Sequence, residues 1–134
     1  MKALSLWQPW ASLIPHYLKR VETRTWGTNY RGDLLICASA RDTREQELFF
    51  HEKIKPIVRD KLTYNDFPFG VAVAQVTLVD CLVMTQELID SQSSLEKMMG
   101  NWQIGRVAWV FENIRSITPF EVKGKQGLFD VENL

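Results

Sequence analysis

The run of residues 69–84, "FGVAVAQVTLVDCLVM", restricts the fold more than any other part of the sequence. It is the longest β-prone stretch, and its density of Val and Ala predicts a strand that is buried on much of both faces. The chain has 134 residues, of which 46% are hydrophobic, so it is long enough to bury a core around such a strand. We therefore expect one domain that spans residues 1–134.

Shorter β-prone stretches lie on both sides of this run. They predict strands at residues 2–7, 20–26, 33–40, 106–117 and 126–131. The second and third of these strands are joined by the short polar loop "GTNYRG", which predicts that they pair as a hairpin.

Two helical stretches accompany the strands, and a short helix is expected within residues 85–100. The first covers residues 10–18 and should kink at Pro15. The second covers residues 42–62, with Asp42 or Thr43 as its N-cap and a break at Pro56. Several strands around a few short helices predict an α+β domain built as a partly closed barrel.

Charge is balanced over the whole chain but not along it. Sixteen Lys and Arg cancel sixteen Asp and Glu, which argues against a protein that attracts nucleic acid with its entire surface. Residues 1–41 carry six basic and two acidic side chains, a net +4, whereas residues 42–134 carry ten and fourteen, a net −4. The basic end of the chain includes the charged stretch 18–26.

Signals for metals, cofactors and membranes are missing from the sequence. Cys37 and Cys81 lie in separate apolar runs without a CxxC pair, which predicts two buried thiols in a reducing compartment. His16 and His51 have no Cys, Asp or His at ligand spacing, so we expect no metal and no cofactor. No apolar run approaches the roughly 20 residues of a membrane span, and no signal peptide is visible. These features predict a cytoplasmic protein that does not contact membranes.

The stretch "LKRVETRTW" places Arg20, Glu22, Arg24 and Trp26 at every second position of a predicted strand. Alternate residues of a strand share one face, so this row is either a solvated surface or one wall of a binding site. Positive neighbours on both sides favour the ionised form of Glu22, which makes it a poor general acid. It can still orient Lys19 or accept a hydrogen bond from a base.

Other candidate ligand contacts lie in turns. The segment "WQPW" puts Gln8 and Trp10 at a helix N-terminus, where free backbone N–H groups suit an anion. Arg31, Lys123 and Lys125 sit in glycine-containing turns and are candidates for phosphate contacts. Trp26 is the best candidate for a platform on which a base of single-stranded nucleic acid stacks.

Taken together, several segments resemble the ASCH domain family, the ASC-1 homology family of the PUA-like superfamily. They are "LSLWQPWASLI", "LKRVETRTW", "YRGDLLICASA", "GNWQIGRVAWVFENI" and "GKQGLFDV", in the family's order and over nearly the whole chain. The most specific is the signature G-x-K-x-x-E-x-R, in which Lys19, Glu22 and Arg24 are present. Tyr17 replaces the usual glycine, and Cys37 stands where a histidine often precedes the Ala-Ser pair.

The resemblance implies a small mixed β-barrel surrounded by short helices, with a cleft in which Lys19, Glu22 and Arg24 lie close together. It also implies that the ligand is single-stranded RNA or a nucleotide, with DNA as a further option. Arg20 occupies a variable position of the signature, so we expect it to be an ordinary surface charge. The sequence does not define an oligomeric state.

Two other functions stay open from the resemblance. One ASCH branch removes the acetyl group from N4-acetylcytidine with a lysine, a threonine and a glutamate, and ribonuclease activity has been attributed to other members. Here Lys19 and Glu22 would be the acid–base pair of such a metal-independent hydrolase. The threonine position is Glu22 in this chain, and Thr23 is expected to point to the opposite face. The third option is a protein-interaction module of a transcription or translation regulator.

Overall fold

The computed structural model describes residues 1–132, whose main feature is one sheet of six strands. The strands are β1 (Lys2–Leu6), β2 (Val21–Arg24), β3 (Gly32–Ala38), β4 (Val71–Val83), β5 (Val107–Glu121) and β6 (Leu128–Asp130). They lie in the order β2-β5-β4-β3-β1-β6, and the sheet curls into a half-barrel. The α+β fold predicted from the sequence is confirmed.

Short helices surround the sheet. They are α1 (Trp10–Leu13), α2 (Arg44–Phe49), α3 (Lys55–Val58), α4 (Gln86–Asp90) and α5 (Ser94–Met98). The helix predicted at residues 10–18 ends at Leu13, ahead of Pro15. A π-helical turn, Phe50–Ile54, joins α2 to α3, and a 3₁₀ turn, Arg59–Lys61, follows α3.

The predicted capping box opens α2, with Thr43 rather than Asp42 as the N-cap. The Thr43 hydroxyl accepts from the Gln46 N–H at 3.3 Å, and Gln46 Oε1 accepts from the Thr43 N–H at 3.0 Å. Pro56 lies at the start of α3, where a missing N–H costs little. The chain therefore stays helical from α2 to α3, and its hydrogen bonds change from the α to the π pattern before Pro56.

The long run that predicted a buried strand forms β4, at the centre of the sheet. Ala72, Val73 and Ala74 are buried in succession, so both faces are covered there, whereas Leu82 and Val83 at the far end are exposed. Three register shifts interrupt the antiparallel pairing of β4 with β5. Such irregularities bend paired strands, and here they accompany the curl of the sheet.

The predicted hairpin between β2 and β3 is wrong. β2 pairs with β5, while β3 pairs with β1 and β4, so two strands separate them in the sheet. The chain after β2 instead stays next to β5. The Trp26 ring packs edge-on against the Trp109 ring, with centroids 4.9 Å apart, and Trp109 Nε1 donates to the Trp26 carbonyl at 2.9 Å. This tertiary contact overrides the local turn signal.

The turn before β2 keeps a glycine-like backbone without glycine. Tyr17 has φ of 62°, a left-handed conformation that a residue with Cβ adopts only at a cost. Its hydroxyl donates to the Ile114 carbonyl at 3.0 Å, which ties the turn to β5. The replacement of the usual signature glycine therefore preserves the turn.

Substitutions at Tyr17 should separate the backbone requirement from the side-chain contact. Tyr17→Asn and Tyr17→Val both lose the bond to Ile114, but Asn tolerates the left-handed region and Val does not. We expect the Val variant to have a free energy of unfolding about 1 kcal/mol or more below that of the Asn variant. Urea denaturation of both variants measures the difference, and equal stabilities would contradict a positive φ at this position.

Burial protects one of the two free thiols. Cys37 is buried on β3 and burial raises its pKa to about 12, whereas Cys81 is half-buried. The sequence-based prediction of two buried thiols thus holds fully for Cys37 alone.

The native state therefore keeps the Cys37 proton at pH values where the unfolded chain, with an ordinary thiol pKa of 9.0, has lost it. The unfolded state binds fewer protons in this range, so the free energy of unfolding should fall as pH rises from 9 toward 12. Urea denaturation at pH 8 and pH 10 tests this, with Cys37→Ala as the variant that lacks the contribution. An equal alkaline loss in both proteins would refute it.

Candidate functional site

A cleft of about 1390 Å³ lies between β1 and β2. Ser5 and Trp7 border it from β1 and the residue after it, Glu22 and Arg24 border it from β2, and the loop 122–127 packs against Ser5. Residues 98–101, which follow and include the end of α5, form another wall. We call this space the cleft.

Arg24 joins two strands that are not neighbours in the sheet. Its Nε donates to Glu22 Oε2 at 3.0 Å on its own strand, and its Nη2 donates to the Ser5 carbonyl at 2.8 Å on β1. The curl of the sheet brings these strands together, and the guanidinium fork spans the gap between them. Glu22 and Arg24 therefore form a fixed ion pair at the floor of the cleft.

Lys19 lies behind this pair rather than in the cleft. Its side chain is 1% exposed, Nζ donates to the Met99 carbonyl at 2.9 Å, and Nζ lies 3.5 Å from Glu22 Oε1. Lys19 does not line the cleft. It instead connects the floor carboxylate to the wall formed by residues 98–101.

Thr23 and Arg106 hold the same wall from the other side. The Thr23 hydroxyl is buried and accepts from the Asn101 N–H at 3.0 Å. Arg106 donates through Nε to the Asn101 carbonyl at 2.9 Å and through Nη2 to the Thr23 carbonyl at 3.3 Å. A Cβ on Gly100 would lie 2.9 Å from Thr23 Cγ2, so this close approach requires glycine.

Aromatic rings cover much of the remaining surface. Trp26 and Trp10 are half-buried and both line the cleft, and Trp10 packs against Phe49 with ring centroids 4.8 Å apart. Trp7 is 50% exposed, and the Arg41 guanidinium lies 4.4 Å from its ring centroid. The cleft thus combines a fixed ion pair with large aromatic side chains.

The structure brings most, but not all, of the predicted site residues together. Five of them line the cleft besides Glu22, namely Trp10, Arg24, Trp26, Lys123 and Lys125. Gln8 is completely buried and its amide is used inside the fold, by Ser12 at 2.7 Å and the Pro68 carbonyl at 2.8 Å. Arg31 is exposed away from the cleft and pairs with Asp80 at 3.3 Å.

Sequence reasoning missed Trp7 and Arg106 as cleft residues. On β1, Leu4 and Leu6 are buried, so the alternation of side chains along the strand places Trp7 on the same side as Ser5. This local pattern could therefore have identified Trp7. Arg106 precedes Val107, the partner of Arg24 in the pairing of β2 with β5. That register is a long-range property, and no local pattern indicates it.

Within residues 1–132 no three His, Cys, Asp or Glu side chains come close enough to hold a metal ion. In the same part of the chain, no helix has the length and apolar character needed to cross a membrane.

A curled mixed sheet with short helices and a charged, aromatic cleft defines an α+β protein of the PUA-like class. Residues 4–121 match the ASCH domain, so the chain belongs to the ASCH domain family. The resemblance read from the signature is therefore confirmed.

Two mammalian proteins are similar over part of their length. Activating signal cointegrator 1 from Homo sapiens is 41% identical over 85 residues, which are 62% of this chain and 15% of that protein. The Mus musculus protein of the same name is 40% identical over the same length. The aligned region therefore spans only a small part of these relatives.

A solved structure shares the fold. A point mutant of ZmASCH from Zymomonas mobilis superimposes with a TM-score of 0.59 and 14% identity, over 98% of this chain and 89% of that one. At this identity the similarity establishes the fold alone.

The position of Lys19 predicts a structural role that can be measured. Lys19→Met keeps much of the volume but removes the ammonium that bonds Met99, so we expect the free energy of unfolding to fall by about 1–3 kcal/mol. Amide exchange at Asn101 should also accelerate, because its wall loses an anchor. Arg20→Met, an exposed neighbour, serves as the control in urea denaturation and hydrogen exchange. Wild-type stability and exchange in Lys19→Met would contradict the role.

Proposed function

We propose that the cleft binds single-stranded RNA or a nucleotide, and that it acts as a binding site rather than as a hydrolase. The observation that carries the proposal is the Glu22–Arg24 pair, held at the floor of an aromatic cleft. Arg24 uses Nε and Nη2 within the fold, and Nη1 has no partner among residues 1–132. An arginine donor beside a carboxylate acceptor suits the edge of a base, which carries both donors and acceptors.

The aromatic side chains support the same ligand. Single-stranded nucleic acids stack their bases on tryptophan and related rings, and each such contact is worth about 1–3 kcal/mol. Trp7, Trp10 and Trp26 line the cleft, and the exposed Lys123 and Lys125 lie on its loop 122–127. Rings for bases and cations for phosphates thus occur in one space.

Hydrolysis by the Lys19–Glu22 pair has less support. The Lys19 ammonium is buried and bonded to the Met99 carbonyl, so a ligand in the cleft meets Glu22 before it meets Lys19. Thr23, whose hydroxyl the N4-acetylcytidine mechanism would need as nucleophile, lines the cleft, but this hydroxyl accepts a hydrogen bond from the Asn101 N–H, which lowers its nucleophilicity. Both observations favour binding without turnover.

We further propose that residues 1–134 act as one domain in the cytoplasm. The two cysteines are free thiols, which suits a reducing compartment that also contains RNA. The partial alignment with Activating signal cointegrator 1 leaves a protein-interaction role as the alternative outcome of the experiments below.

Binding can be measured by fluorescence anisotropy with labelled single-stranded RNA and DNA of the same sequences. Glu22→Gln keeps the shape of the side chain but replaces a carboxylate oxygen with an amide nitrogen. Because this removes an acceptor for the base and weakens the pairing with Arg24, we expect RNA affinity to fall about tenfold or more. Trp7→Leu removes an exposed ring and should weaken binding by about fivefold or more without loss of stability. If three phosphates contact cations, the salt slope should be about −2.

Glu52→Gln, on an exposed helical turn outside the cleft, is the matched control and should bind like wild type. Failure of every oligonucleotide to bind at low salt would reject the proposal and favour a protein partner. Cleavage of labelled RNA, or deacetylation of N4-acetylcytidine, that disappears in Glu22→Gln would show an enzyme instead.

A further inference from the structure

The loop 122–127, "VKGKQG", connects β5 to β6 and passes over the end of β1. Backbone hydrogen bonds hold it at both ends. At one end, the Val122 N–H donates to the Gly70 carbonyl at 3.0 Å. At the other, β6 pairs with β1 through Leu128 and Leu4. Between these anchors lie Lys123 and Lys125, both exposed and both lining the cleft, on either side of Gly124.

Gly124 lies directly on Ser5. A Cβ at position 124 would be 2.8 Å from Ser5 Oγ, closer than real Cβ atoms approach, so a larger residue would require the Ser5 hydroxyl to rotate away or the loop to shift. Ser5 is also the residue whose carbonyl accepts from Arg24 Nη2. The loop is thereby held next to the floor of the cleft.

The Ser5 hydroxyl has no hydrogen-bond partner among residues 1–132, although its oxygen is buried. A buried hydroxyl without a partner is uncommon in folded proteins, and it always has a hydrogen to donate. Neither Lys123 nor Lys125 takes part in a salt bridge within the same residues. A free donor and two unpaired cations therefore meet at one side of the cleft.

We propose, on the basis of the proposed function, that this loop is a phosphate subsite and that the smallest complete ligand is a nucleotide rather than a nucleoside. The ammonium groups of Lys123 and Lys125 bind the phosphate oxygens. The Ser5 hydroxyl gains its missing acceptor when a small shift of Gly124 admits one of these oxygens. The base lies toward Glu22, Arg24 and the tryptophans, so the ligand has a fixed direction in the cleft.

Isothermal titration calorimetry with the four ribonucleoside 5′-monophosphates and the corresponding nucleosides tests the subsite. We expect wild type to bind at least one monophosphate about tenfold more tightly than its nucleoside. In Lys123→Gln/Lys125→Gln this ratio should fall to about one, while the nucleoside affinity stays unchanged. The control Lys53→Gln/Lys61→Gln removes the same charge from exposed positions outside the cleft and should keep the wild-type ratio.

Two further variants separate the loop geometry from its charge. Ser5→Ala should reduce the monophosphate preference severalfold without altering nucleoside binding. Gly124→Ala should also reduce it, because the added Cβ displaces either the Ser5 hydroxyl or the loop. The lysine pair remains the decisive test if Gly124→Ala does not fold.

The failures of the two proposals are distinguishable. RNA binding that depends on Glu22, combined with equal affinities for nucleosides and monophosphates or with no monophosphate binding at millimolar concentration, would overturn the subsite alone. An unchanged ratio in Lys123→Gln/Lys125→Gln would do the same. Loss of all oligonucleotide binding would reject the proposed function itself.

Discussion

The cleft depends on one side chain, Arg24, which bridges the open side of the half-barrel. β2 lies at one edge of the sheet and β1 lies next to the other, so their backbones share no hydrogen bonds. The Arg24 fork supplies the connection, with one donor to Glu22 and another to the Ser5 carbonyl. A lysine has a single point of charge and could not make both contacts in this geometry. The shape of the floor therefore follows from the planar guanidinium.

A second set of contacts connects this floor to the wall formed by residues 98–101. The Glu22 carboxylate meets Arg24 on the cleft side and Lys19 on the buried side, and Lys19 continues to the Met99 carbonyl. A buried ammonium needs such partners because an unpaired charge is expensive to remove from water. Packing and charge pairing therefore account for the buried lysine of the signature and for the glutamate oxygen that faces it. Their presence does not by itself require that the protein catalyse a reaction.

Local patterns in the sequence predicted the elements well and their partners less well. The capping box at Thr43, the strand β4 and the alternation of Glu22, Arg24 and Trp26 depend on neighbours within a few residues, so they can be read from the chain. The hairpin failed because the contact between Trp26 and Trp109 joins residues 83 positions apart. Register between distant strands has no local signature.

The errors among the site residues have the same origin. Gln8 has the polar side chain expected of a ligand contact. Its amide instead forms hydrogen bonds with the Ser12 N–H in α1 and with the Pro68 carbonyl. Arg31 looks like a phosphate contact in its turn, but Asp80 on β4 neutralises it. Residue type shows what a side chain is able to bind. The fold decides whether that capacity is already used by another part of the protein.

The same distinction, between what a side chain is able to bind and what it already contacts, applies to the basic side chains of residues 1–41. Of these six cations, Lys2 pairs with Asp130, Arg31 with Asp80 and Lys19 with Glu22, Arg41 lies over the Trp7 ring, and Arg20 is exposed outside the cleft. Arg24 also shares Glu22, so the local +4 does not collect into one positive surface. A chain without net charge has little long-range attraction for a polyanion. The proposed binding therefore rests on contacts inside the cleft, where the bond geometry at Glu22 and Arg24 and the stacking rings would discriminate between ligands of equal charge.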